Sequence, residues 1–108
     1  MEAALRAIAE PRRRQILRLV VDDERSAGDI ASHFEVSRPA ISQHLTVLKS
    51  AGLLTERRVG NRRLYRARPE GLASLRELLE EFWTDSLDAL KQQIEHDQRD
   101  GGDRAPVA

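Results

Sequence analysis

Between residues 37 and 52 the chain reads SRPAISQHLTVLKSAG, and this stretch constrains the fold more than any other. Ser37 is a helix-capping residue, and Val36 before it and Ile41 after it are spaced to form a hydrophobic staple across that cap. Ile41, Leu45 and Leu48 share one face at 100° per residue, which leaves Pro39, Ser42, Gln43, Thr46 and Ser50 on the other. Gly52 stands where a helix ends in a left-handed residue. Upstream, Ser26 with Asp29 resembles a capping box and opens a brief helix carrying Ile30, Ala31 and Phe34 on one side. Only Glu35 and Val36 separate that helix from Ser37. Two short helices, a tight turn, and a second helix apolar inside and polar outside predict a helix-turn-helix.

The flanks extend the pattern. Residues 2–9 read as a short helix with Leu5 and Ile8 three apart, and Pro11 suits the first turn of another helix reaching Val21. In that second helix Ile16, Leu17 and Val20 share a face among Arg12, Arg13, Arg14 and Arg18, and Asp22–Arg25 read as a polar connection. After Gly52 comes LLTERRVGNRRLYRA. Gly60 and Asn61 can take positive φ, so a two-residue hairpin turn is predicted there, pairing Val59 with Arg62 and Arg58 with Arg63. From Pro69 a helical pattern runs to about Gln98, with Gly71 as a weak spot near its start. Leu72, Leu75, Leu79 and Phe82, then Trp83, Leu87, Leu90 and Ile94, form an apolar stripe. A helix of ~28 residues extends ~42 Å, longer than a body of 68 residues can cover, so a second copy is the simplest partner for the stripe. The expected architecture is mainly α with a small β-hairpin: one domain over 1–96, then a disordered acidic tail over 97–108.

The formal net charge of zero hides a polarity. Residues 1–68 carry 14 Lys+Arg against 8 Asp+Glu, and residues 69–108 carry 4 against 10. A basic working part and an acidic part facing elsewhere are implied. Cysteine is absent, which removes disulfides, thiolate metal sites and a cysteine nucleophile. Neither a signal-like apolar run nor a membrane-length stretch stands in the sequence, so a cytoplasmic location is expected.

Taken together, VSRPAISQHLTVLKSAGLL, RRVGNRRLY and an FW-bearing last helix resemble the ArsR/SmtB family of winged-helix repressors over residues 3–95. The likeness is to the branch without metal ligands, whose last helix carries a similar FWxxxLxxL run. It implies a winged helix-turn-helix with long N- and C-terminal dimerisation helices. It also implies a homodimer that inserts the helix 38–51 into the major groove of an operator and sets the wing 54–67 on the flanking minor groove or backbone. Members usually repress their own operon and release DNA when an effector binds. The metal-sensing part does not carry over. Ser26-Ala27-Gly28-Asp29-Ile30 stands where some members have a cysteine pair, Asp85-Ser86-Leu87 lacks the histidine others use, and His96 is without the later cluster. No metal or cofactor is expected, and no effector is identified.

Individual roles follow from chemistry. Gln43 can bond adenine in bidentate fashion, Ser42 and Thr46 can meet base edges or phosphates, Arg38 can reach guanine or phosphate, and Pro39 shapes the first turn or touches a thymine methyl. His44 lies beside the apolar stripe, where packing or a phosphate contact fits better than base reading, and Lys49 sits at the helix edge within reach of phosphate. Strand alternation sends Arg58 and Arg63 to one face of the wing and Arg57 and Arg62 to the other. Arg62 and Arg63, nearest the turn, are the foremost candidates for a narrow minor groove. The competing reading is a charged edge that blunts strand pairing. Leu5, Ile8, Leu75, Leu79, Phe82, Trp83, Leu87 and Leu90 are the expected dimer interface; a ligand cavity beside Phe82 and Trp83 is the less favoured reading.

The sequence is compatible with two function classes and speaks against a third. Sequence-specific repression by a homodimer on a palindromic, self-regulating operator leads. A winged helix reused as a protein-interaction module is the alternative, with the acidic last helix as its docking surface. Catalysis finds no support, because no nucleophile, base and orienting group are brought together by any motif.

Overall fold

A computed structural model describes residues 2–100, with side chains through Asp97. The elements are α1 (Glu2–Ala9), α2 (Pro11–Val20), β1 (Arg25–Ser26), α3 (Ala27–Ala31), α4 (Arg38–Ser50), β2 (Leu54–Val59), β3 (Arg62–Ala67) and α5 (Pro69–Asp100). They fall into two compact units divided after Leu75.

Local chemistry accounts for most of the boundaries. Glu10 breaks α1 from α2 and caps the latter, its carboxylate accepting from the Arg13 amide at 3.3 Å. The guanidinium groups of Arg13 and Arg14 turn back to the end of α1, donating to the carbonyls of Ala7 and Ile8 at 2.7 Å each. Cations at those orphan carbonyls stabilise a helix C-terminus. These two arginines therefore have a structural role, although Arg14, like Arg12, is exposed. Ser26 and Ser37 cap α3 and α4, accepting from the Asp29 and Ala40 amides at 3.1 and 3.2 Å. Asp29 departs from the capping-box expectation: its carboxylate bonds the Arg25 guanidinium at 2.8 Å.

Helix α4 ends in a Schellman motif. Gly52 takes φ +78°, the Leu53 amide reaches the Leu48 carbonyl at 3.0 Å, and the Gly52 amide reaches Lys49 at 3.0 Å. The chain then enters the hairpin in the expected register, Arg58 opposite Arg63 and Val59 opposite Arg62. Only Gly60 takes positive φ at the tip among the described residues. Positive φ at the first central residue alone is the sign pattern of a type II′ turn, so Asn61 is not used in the left-handed form that was open to it.

One strand escaped the sequence reading. Arg25 and Ser26, expected as the end of a polar connection and a helix cap, also pair with Tyr65 and Leu64, and the sheet order is β1-β3-β2. Two residues carry no periodicity, and their pairing depends on a strand about forty positions away.

The core of the first unit is the one the helical spacing pointed to. Ile16, Leu17, Val20, Ile30, Ile41, Leu45 and Leu48 are buried, joined by Leu53, Leu54, Tyr65, Ala67 and Leu75. Gly71, read as a weak spot, has a packing role. A Cβ built there would lie 1.9 Å from the Gly52 carbonyl oxygen, so only glycine admits this approach of α5 to the end of α4.

Helix α5 has 32 residues and continues through Asp100, into the stretch expected as a tail. Residues 101–108 of that expected tail lie outside the described residues. Of the terminal helices only α5 is long; α1 has eight residues. No helix among the described residues is long and apolar enough to cross a membrane.

Candidate nucleic-acid interface

Burial of Ile41, Leu45 and Leu48 fixes the rotation of α4, and the opposite face follows from it. Arg38, Pro39, Ser42, Gln43 and Thr46 are all exposed along one ridge. The ridge belongs to a helix of 13 residues, ~20 Å long, slim enough with its short side chains for a major groove ~12 Å wide. The Thr46 hydroxyl donates to the Ser42 carbonyl at 3.0 Å, so outward it offers its acceptor lone pairs and its methyl. Val47, exposed at 39%, stands beside Gln43 in a shallow apolar depression also lined by Arg13, Ser42 and His44. Val47 is on neither the inner face nor the polar face that the sequence predicts for this helix.

His44 does not join the ridge. Its ring faces the cap of α2, with Nε2 3.8 Å from the Glu10 carboxylate, and its side chain is 20% exposed. Partial burial of Glu10 raises its pKa, but the backbone amides of Arg12 and Arg13, and then the charges of His44 and Arg13, outweigh this and leave it below the ordinary value.

Across from α4 stands the wing. Between them runs a groove of about 720 Å³, lined on one side by Arg38, Ser42, Thr46 and Lys49 and on the other by Arg62 and Arg63. The arginines of the hairpin are not equivalent. Arg57 is drawn away from the tip to Glu24, its Nε donating at 3.0 Å and a second nitrogen bonding the other carboxylate oxygen. Those donors hold Glu24 below its usual pKa, and the Glu24 carboxylate in turn raises that of Arg57. Arg58 and Arg62 are exposed and make no ion pair within 4 Å among the described residues. Arg63 lies 3.8 Å from Glu56, and Lys49 3.3 Å from the same carboxylate. Partial burial raises the pKa of Glu56, but hydrogen bonds from Lys49 and Tyr65 and the positive charges nearby prevail, and the group stays ionised below its ordinary range. Arg38 reaches over Gly28, its guanidinium 3.5 Å from where a Cβ would stand.

Of the residues singled out from sequence, the fold thus brings Arg38, Ser42, Thr46, Lys49, Arg62 and Arg63 to one groove, with Pro39 and Gln43 on the same ridge and Arg58 on the exposed wing. His44 and Arg57 are engaged elsewhere. Glu56 and Glu24 were not foreseen. Their only signal was a carboxylate at a strand or loop position among arginines, which does not say which arginine it meets.

The stripe on α5 divides as well. Leu75 is buried in the first unit's core, and Leu5 and Ile8 are half-buried against it. Leu79, Phe82, Trp83, Leu87, Leu90 and Ile94 are exposed, with Phe82 at 69% and Trp83 at 62%.

Residues 10–56 match the family described as bacterial regulatory protein, arsR family. The chain is 41% identical over 99 residues to the HTH-type transcriptional regulator Rv2034 of Mycobacterium tuberculosis, covering 92% of each. It is 45% identical over 60 residues to the transcriptional repressor SdpR of Bacillus subtilis, covering 56% of this chain and 67% of that one. Among solved structures, the homodimeric winged helix-turn-helix DNA-binding domain of Mb0332 from Mycobacterium bovis superposes with a TM-score of 0.63 at 34% identity, covering 78% of each chain.

Proposed function

The chain belongs to the ArsR family of bacterial transcriptional regulators, and on that premise we propose that it is a homodimeric repressor reading a palindromic operator with α4 and gripping its flank with the wing. One observation carries this reading. Arg38, Ser42 and Thr46 of the exposed ridge border one groove with Lys49, Arg62 and Arg63, and Pro39 and Gln43 continue the same ridge beside it, so base-reading groups and phosphate-binding charge can face one ligand. A duplex supplies both kinds of partner. Base edges in the major groove meet Gln43 and Ser42, and the strand between major and minor groove lies along the cationic walls.

Dimerisation follows from α5. Six large apolar side chains at helical spacing stand exposed on it, and water contact with such a stripe is unfavourable. Pairing with a second copy covers it, and a similar protein is itself homodimeric. A two-fold dimer presents two copies of α4, which sets the symmetry of the operator and half-sites about one helical turn apart. Repression is supported by the similarity to SdpR, although the chain is also similar, over 73% of its length, to the transcriptional activator HlyU of Vibrio cholerae; self-regulation is the usual habit of the resembled family.

The test is a titration of labelled DNA from upstream of the gene, against a scrambled duplex of equal length. Preference for the upstream DNA, weakened by Gln43→Ala and Arg62→Ala, is expected. Equal affinity for both duplexes, unaltered by either substitution, overturns the reading.

A further inference from the structure

We propose that Glu56 sets the selectivity of this interface, acting both as a latch between α4 and the wing and as a brake on phosphate binding. The proposal rests on the DNA-binding reading above. Glu56 is the one carboxylate lining the groove among the described residues, against the four cations Arg38, Lys49, Arg62 and Arg63. It touches both walls, with Oε2 3.3 Å from Lys49 on α4 and Oε1 3.8 Å from Arg63 on β3. It also lies deeper than the cations it holds: its side chain is 20% exposed, those of Lys49 and Arg63 53% and 57%. A phosphate can therefore reach the two cations, but only in competition with a carboxylate fixed beneath them.

Two consequences follow, and they act on different complexes. Withholding Lys49 and Arg63 lowers the electrostatic attraction to any duplex, since affinity scales with the number of phosphates that cations neutralise. Tying α4 to the wing holds the base-reading ridge and the wing in one geometry, which matters only when both must be seated at once. Removing the carboxylate adds free charge, favouring all DNA. It also loosens the geometry, which penalises the specific complex alone. Selectivity must fall while non-specific affinity rises, the opposite of what loss of a merely structural ion pair does.

The experiment uses the full chain with the upstream and scrambled duplexes over a series of salt concentrations. For Glu56→Gln, affinity for scrambled DNA is expected to rise roughly three- to tenfold at low salt, with the salt slope steeper by about one for each freed cation. The preference for upstream DNA falls by a similar factor, and Glu56→Asp, which keeps the charge, retains the wild-type slope. Lys49→Met gives an arm that does not depend on Glu56 variants folding. It should alter the slope by much less than one in the wild-type background, because Lys49 is already engaged, and by about one in the Glu56→Gln background. An unchanged slope for Glu56→Gln, or a full unit lost by Lys49→Met alone, overturns the proposal. Wild-type protein that does not discriminate between the duplexes overturns the DNA-binding reading instead, so the two failures are distinct.

Discussion

Arg57 donates two hydrogen bonds to Glu24, a residue 33 positions earlier that immediately precedes β1, the edge strand on the other side of β3 from β2. The pair spans β3 and pins the root of the wing to the segment leading into β1. It also decides which wing arginines are available to a ligand.

Arg57 and Arg62, on the same face by strand alternation, are therefore expected to differ. Arg62→Ala should reduce the slope of log affinity against log salt by about one, as loss of one phosphate contact does. Arg57→Ala should leave that slope within a few tenths. Parallel salt titrations of the two variants check this, and equal losses would show that Arg57 leaves Glu24 for the duplex.

Gly71 admits no side chain without displacing the backbone at Gly52. Gly71→Ala is expected to destabilise the fold by roughly 2 kcal/mol or more despite alanine's better helix propensity. That corresponds to a fall of about 8–15 °C in Tm for a domain of this size. Thermal unfolding followed by circular dichroism measures it, and a variant as stable as wild type would mean that α5 does not approach Gly52 so closely.

The apolar residues of α5 should divide by role. Leu75→Ala removes a core side chain and is expected to cost about 2–5 kcal/mol of folding stability. Leu87→Arg, at an exposed position, should instead leave the protomer folded and shift it towards monomer in analytical ultracentrifugation. Trp83 emission should move to longer wavelength in that variant, as water reaches an indole the dimer covers.

Glu10, Glu24, Asp29 and Glu56 all have pKa values held below their ordinary ones. For the first and last, donors and nearby cations overcome burial; for the middle two, the Arg57 and Arg25 hydrogen bonds are the leading cause. A depressed folded-state pKa means that the unfolded chain takes up protons first as pH falls. The stabilisation is complete above the ordinary carboxylate range and is lost as pH drops through the folded values. Stability should thus be flat near neutrality and decline from about pH 5 downwards. Glu24→Gln removes one of these groups, so the difference from wild type should narrow between about pH 5 and pH 3 in acid denaturation curves.

Much of this molecule was legible before its structure. The caps Ser26 and Ser37, the stop at Gly52, the inner face Ile41, Leu45 and Leu48, and the hairpin register all depend on residues within a few positions of one another. Backbone geometry converts such spacings directly into direction, so the outward ridge of α4 followed from the burial of its opposite face. What tertiary structure alone decided joins residues far apart in sequence: Ser26 with Leu64, Arg57 with Glu24, Lys49 and Arg63 with Glu56, Gly71 with Gly52. A long flexible arginine reaches any of several carboxylates, and a glycine suits both a weak helix start and a close backbone contact. Only the packed arrangement of helices and strands selects among those partners, and that selection determines which charges of the wing are left to meet a ligand.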